Sequence, residues 1–141
     1  MPFLLDTNLL VHFVRSDALG QRLKTDYALL TSPDVPLLSA VTEGELRALA
    51  RKFAWGKAKM EQMEFFLTCF VIVPISAPGI MAAYAVIDDF STRRGRLMGK
   101  NDVWIAATAH VTTATLLTTD RDFDHLDPAY LTRRWINPQT R

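Results

Sequence analysis

The sequence predicts an α/β fold in which a mainly parallel sheet is covered by helices on both faces. Three observations predict it. Short apolar runs recur at Phe3-Leu4-Leu5, Val35-Pro36-Leu37-Leu38, Phe70-Val71-Ile72-Val73 and Ala114 to Thr118. Longer stretches between them carry apolar residues at helical spacing. The runs are apolar with little alternation, as expected of parallel strands buried on both sides.

Taken in order, Phe3-Leu4-Leu5 is the first strand, and Thr7 to about Val14 is a helix with Leu9, Leu10, Phe13 and Val14 as its stripe. A second helix covers Ala18 to about Leu30 and is ended by Ser32-Pro33-Asp34. Val35 to Leu38 is the second strand, and Ser39 is the natural N-cap of the helix that follows. That helix runs to about Ala54, with Leu46, Leu49, Ala50 and Phe53 expected inward. Lys57 to about Leu67 is another, its Met60, Met63, Phe66 and Leu67 serving as core or as a partner surface. Phe70 to Val73 is a strand stopped by Pro74. A long helix spans about Pro78 to Arg94 and is broken by Gly95. Asp102 to about Val111 is helical, Ala114 to Thr118 is a strand, and Trp135-Ile136 is a short last strand.

A chain of 141 residues, 49% hydrophobic, with mean hydropathy +0.07, fits one folded domain over 1–141. No repeat or linker divides it. The single Cys69 excludes an internal disulfide and a multi-cysteine zinc site. No basic leader precedes an apolar stretch, and no apolar segment is long enough for a bilayer, so a cytosolic location is expected. Net charge is +1, and that balance argues neither for nor against a polyanionic partner. The distribution says more. Basic residues gather at Arg47, Arg51, Lys52, Lys57 and Lys59, and again at Arg93, Arg94, Arg96 and Lys100. Each group is either a solvated helix end or the rim of a site whose floor is acidic.

Four carboxylates stand at element ends beside apolar runs: Asp6, Glu45, Asp102 and Asp120. Each has a structural role open to it. Asp6 can cap the helix that starts at Thr7, although Asp6-Thr7-Asn8 offers more polar groups than one cap requires. Glu45 completes a capping box with Thr42, but from a start at Ser39 it falls in the second turn, beside Leu46 and Leu49. Glu43 lies on the opposite face. Asp102 is a first-turn acid after Asn101, on the face that carries Ile105, Ala106 and Ala109. Asp120 follows the fourth strand most closely, and Asp122 is an outer ligand or a helix cap. In a parallel sheet, function collects beyond the carboxyl ends of the strands. If the four acids meet there, oxygen-only ligation selects a hard cation such as Mg²⁺ or Mn²⁺.

Four segments, in this order, resemble the PIN-domain family, and most closely the VapC-type ribonuclease toxins of toxin–antitoxin pairs. They are Leu4-Leu5-Asp6-Thr7-Asn8, Ser39 to Arg47, Asn101 to Ala109, and Leu117 to Phe123. The resemblance covers nearly the whole chain. It implies a three-layer sandwich with the first strand central, and Asp6, Glu45, Asp102 and Asp120 as catalytic and metal-binding acids. It implies that Asn8 and Thr118 orient those carboxylates, with Asp122 in support. It also implies a cognate antitoxin protein that blocks the site, and homodimerisation.

The chemistry expected is endonucleolytic hydrolysis of RNA with one or two Mg²⁺ or Mn²⁺ ions. In two-metal sites the ions sit about 3.5–4 Å apart and clamp both sides of an in-line displacement at phosphorus. Arg93, Arg94, Arg96 and Lys100 are the residues expected on flanking phosphates. His12, His110 and His125 are scattered and form no nucleophilic triad. Two other readings compete. One is a phosphatase of the haloacid dehalogenase type, which wants a second Asp where this chain has Asn8, and a late Lys for which Lys100 would stand. The other is a non-catalytic pocket that binds RNA or protein.

Overall fold

A computed structural model describes residues 1–139. The elements follow the expected alternation: β1 (Phe3–Leu5), α1 (Thr7–Arg15), α2 (Ala18–Asp26), β2 (Leu37–Ser39), α3 (Ala40–Lys52), α4 (Lys57–Leu67), β3 (Val71–Val73), α5 (Ile80–Arg93), α6 (Lys100–Thr112), β4 (Thr115–Thr118) and β5 (Thr132–Trp135). A 3₁₀ turn, Arg121–Leu126, joins the last two strands. The strands form one parallel sheet in the order β3-β2-β1-β4-β5. The first strand is therefore central, and all the strands end at one edge.

Alternation along the strands divides the interior into two layers. Leu5, Leu38 and Leu117 face one core, where they meet Leu9, Phe13, Leu46, Met63 and Phe66 from α1, α3 and α4. Leu4 and Leu116 face the other, against Ile80 and Ile87 of α5 and Ile105, Ala106 and Ala109 of α6. Met63, Phe66 and Leu23 are thus core residues. Phe13 is fully buried and meets the rings of Phe66 and Phe70 edge-on, at centroid distances of 4.9 and 5.5 Å.

Several boundaries differ from the sequence expectation, each for a local reason. Helix α2 stops at Asp26 because Ala28 takes φ +50°, and Leu29 is buried from a turn while Leu30 is exposed. Helix α3 ends at Lys52, and Phe53 closes it with its N–H on the Leu49 carbonyl. The Phe53 ring therefore leaves the inward stripe and is 56% exposed, contrary to expectation. Helix α6 starts at Lys100 with Gly99 as cap, so Asn101 is not the cap but a first-turn residue. Strand β5 is Thr132–Trp135, not Trp135-Ile136: it pairs with β4 along Thr115 to Thr118. Helix α5 begins after Gly79 at φ +88°, two residues later than expected, and ends before Gly95 at φ +69°, where a glycine relieves the strain. No helix among the described residues is long and apolar enough to cross a membrane.

Candidate functional site

Strand β1 ends by handing its register to β4: the Asp6 N–H donates to the Leu117 carbonyl at 3.0 Å. One residue later the chain is helical, so Asp6 is both the last group of the central strand and the N-cap of α1. Its Oδ1 accepts the Thr7 N–H at 2.7 Å, and its Oδ2 accepts the Thr118 hydroxyl at 2.8 Å. Asp6 is 4% exposed and holds no cationic partner among the described residues.

Glu45 reaches the same place from α3, where Ser39 ends β2 and caps the helix through its bond from the Val41 N–H. Glu45 Oε1 accepts the Thr7 hydroxyl at 2.6 Å, and Oε2 accepts the Asn101 amide at 3.2 Å. Glu43 points elsewhere: Arg47 binds it at 2.7 Å. Asp102 enters from the first turn of α6. Asp120 follows β4; its N–H donates to the Thr118 hydroxyl at 2.9 Å, and its own carboxylate accepts the Asp122 N–H at 2.9 Å. Asp120, and not Asp122, is therefore the cap of the 3₁₀ turn. The segment is braced on β5, where the Trp135 indole donates to the Thr119 carbonyl and Arg121 lies over the Trp135 ring.

These groups open onto one cleft of about 630 Å³, lined by Asp6, Glu45, Asp102 and Asp120 together with Thr7, Asn8, Asn101 and Lys52. One carboxylate oxygen from each of Asp102, Asp120 and Asp122 lies within 4.8 Å of the others, while Asp6 and Glu45 fall outside that tightest group. Burial pushes the Asp6 carboxyl up to about 6; the Thr118 and Thr7 bonds pull it back, and the charges of Asp120 and Glu45 add to the rise. Burial also raises Asp102, to about 7, followed by repulsion from Asp6, Asp120, Glu45 and Asp122. Such crowding of like charges favours either retained protons or a bound cation. The donor set is all oxygen, and a hard cation with metal–oxygen distances of about 2.1–2.6 Å spans ligand pairs up to about 4–5 Å apart. The residues present fit such an ion.

Arg93, Arg94, Arg96 and Lys100, expected on flanking phosphates, do not line the cleft. Arg93 pairs with Asp89 at 2.8 Å, Arg94 lies 4.0 Å over the Phe90 ring, and Lys100 is exposed at the start of α6. Arg94 and Arg96 lie near His125, whose pKa is lowered first by its burial and then by those two charges. Among the described residues Lys52 is the cation that does line the cleft, and sequence reasoning placed it only in a charge cluster. Asn8 lines the cleft as an exposed residue. Thr7 and Asn101 hold Glu45 and were missed. Their only signal was adjacency to Asp6 and Asp102, which does not say which carboxylate each would meet.

Residues 3–128 match the PIN domain family. Comparison with curated protein sequences gives no match. Among solved structures the chain is similar to FitAcB of Neisseria gonorrhoeae, with 30% identity, TM-score 0.74, and 93% of this chain and 95% of that one covered. It is similar to VapBC2 of Rickettsia felis, solved bound to a DNA fragment from its promoter, with 24% identity, TM-score 0.79, and 95% and 98% covered. It is also similar to VapBC-5 of Mycobacterium tuberculosis, described as a member of a family of toxin–antitoxin systems, with 25% identity, TM-score 0.67, and 96% and 98% covered.

Proposed function

The chain belongs to the PIN-domain family, and from that premise we propose that it is a divalent-metal-dependent endonuclease that hydrolyses phosphodiester bonds of RNA, acting as the toxin of a toxin–antitoxin pair. One observation carries the reading: four carboxylates from four separate segments line a single cleft beyond the carboxyl ends of a parallel sheet, two of them with strongly raised pKa values.

In this reading Asp6, Glu45, Asp102 and Asp120, with Asp122 at the outer side, hold one or two Mg²⁺ or Mn²⁺ ions. Such ions supply a water of lowered pKa and offset charge at the leaving oxygen. The chain's own groups do the positioning. Thr118 and the Thr7 N–H fix both oxygens of Asp6. Thr7 and Asn101 fix both oxygens of Glu45, so neither carboxylate need reorganise when substrate arrives. Lys52 is placed to meet a phosphate at the cleft wall.

The partners in this reading are RNA, an antitoxin protein and a second copy of the chain. The antitoxin rests on the likeness, at 25% identity, to VapBC-5, which is described as a member of a family of toxin–antitoxin systems. Since Leu23, Met63 and Phe66 are used by the core, a dimer would need other apolar surface, such as exposed Met81 and Val86 of α5.

Incubation with total RNA in Mg²⁺ or Mn²⁺, and again in EDTA, tests the proposal. Discrete fragments are expected with metal and none with EDTA. Glu45→Gln should remove them, while Glu43→Gln, on the outer face, should keep them. Binding without metal-dependent fragments, or turnover of a simple phosphate monoester in place of RNA, overturns it.

A further inference from the structure

The acidic cleft does not end at Asp6. A second depression of about 300 Å³ continues from it, sharing Asn8 and Leu49 as common wall. Its other lining residues are Val11, His12, Arg15, Phe53 and Thr119. The groove therefore runs along α3 from Glu45, past Leu49 and Lys52, to Phe53 at the helix end. At a rise of 1.5 Å per residue that path is about 12 Å long.

Three side chains give the far part of the groove its character. Phe53 was expected in the core, yet its ring is 56% exposed. The Arg15 guanidinium stands 5.4 Å over that ring. Lys52 adds a cation on the neighbouring wall. His12 belongs to the groove as well, with its Nδ1 held 2.7 Å from Asp17. An exposed aromatic ring beside cations, continuous with a site for phosphodiester chemistry, is the combination that single-stranded polynucleotides use: bases stack on the ring and phosphates meet the cations.

We propose that this groove is the track of single-stranded RNA leaving the acidic cleft, with Phe53 stacking an unpaired base and Lys52 and Arg15 contacting flanking phosphates. The inference rests on the ribonuclease reading and deepens it. What it adds is the path and its residues: an unpaired nucleotide a few positions to one side of the cut is held by Phe53, Lys52 and Arg15. A duplex would not offer a free base face to Phe53, and an acidic peptide would leave the exposed ring without a stacking partner.

The test uses the full chain carrying Asp6→Asn, so that RNA is bound without being cut. The probe is a fluorescein-labelled single-stranded RNA of about fifteen nucleotides and mixed sequence, alone and annealed to its complement. Because the Phe53 ring is largely exposed, its replacement leaves the fold intact. Phe53→Ala and Phe53→Leu should weaken single-strand binding about tenfold, while Phe53→Trp restores it. Lys52→Ala and Arg15→Ala should each flatten the salt dependence by about one phosphate contact. The duplex should bind more weakly than the single strand and be indifferent to Phe53. Unchanged single-strand affinity in Phe53→Ala and Phe53→Leu overturns the proposal and leaves the ribonuclease reading standing, because RNA cutting by the parent is scored separately. Equal loss in Phe53→Trp and Phe53→Ala also overturns it, since a ring that stacks is then not what matters. If the parent neither binds nor cuts RNA, both fall together.

Discussion

Asp6→Asn should make the metal-free protein more stable at neutral pH, although it removes a side chain that makes two good hydrogen bonds. The reason is the cost of the charge. Burial is the main cause of the rise in the Asp6 pKa from 3.8 to about 6, and that difference amounts to about 3 kcal/mol. The folded state holds this proton more tightly than the unfolded chain does. Stability from this group is therefore full below about pH 3.8 and is lost as pH rises through about 6. Asparagine has no such proton and escapes the loss. It keeps an oxygen for the Thr7 N–H, but its amide NH₂ cannot accept the Thr118 hydroxyl, at a cost of about 1 kcal/mol. The net gain at about pH 7.5 is about 2 kcal/mol, or about 4–8 °C for a chain of this size. Urea unfolding followed by tryptophan fluorescence in EDTA measures it, and at about pH 4 the gain should vanish. A variant less stable than its parent at neutral pH, or a gain that persists in acid, refutes the reasoning.

Three other outcomes are expected. Millimolar Mg²⁺ or Mn²⁺ should raise the melting temperature of the parent, and more at about pH 8 than at about pH 5.5, because protons compete for carboxylates whose pKa values are about 6 and about 7; a shift that grows toward acid contradicts this. Thr118→Val keeps shape but strands the Asp120 N–H and one Asp6 oxygen; it should cost about 1–3 kcal/mol and slow RNA cutting, as denaturation and single-turnover cleavage would show. Gly20→Ala should destabilise by about 1–3 kcal/mol or more, because a Cβ there runs into the His12 carbonyl where α2 crosses α1; a melting temperature equal to the parent's would mean that this contact yields freely.

The parts of the molecule most legible in the sequence are those set by short-range patterns. Helix α4 occupies Lys57–Leu67 as its Met and Phe spacing requires, and Ser39 caps α3 as its hydroxyl allows. The Leu-rich strand cores are equally plain. Strand β5 was obscured because it lies at the sheet edge, where Arg133 and Arg134 interrupt any apolar run. Phe53 misled because periodicity assumes that the helix goes on, and α3 stops one residue earlier. The four acids that line the cleft each sit beside an apolar run, which is what singled them out in the sequence. Their partners could not be singled out in this way, since Thr7 to Glu45 and Asn101 to Glu45 are contacts between elements far apart in the chain, fixed only when the sheet is assembled.

Asp6 lies near the start of the chain, yet Thr118, which orients it, is 112 residues away on the strand that docks beside β1. Asp102 and Asp120 also come late, Asp102 from α6 in the layer opposite Glu45 and Asp120 from the end of β4. During synthesis, then, the acidic cleft cannot assemble before the segment through Asp120 has left the ribosome. A fragment that stops short of β4 keeps Asp6 and Glu45 but lacks Thr118 and Asp120, so the four-acid cleft belongs to the assembled sheet and to no stretch of the chain alone.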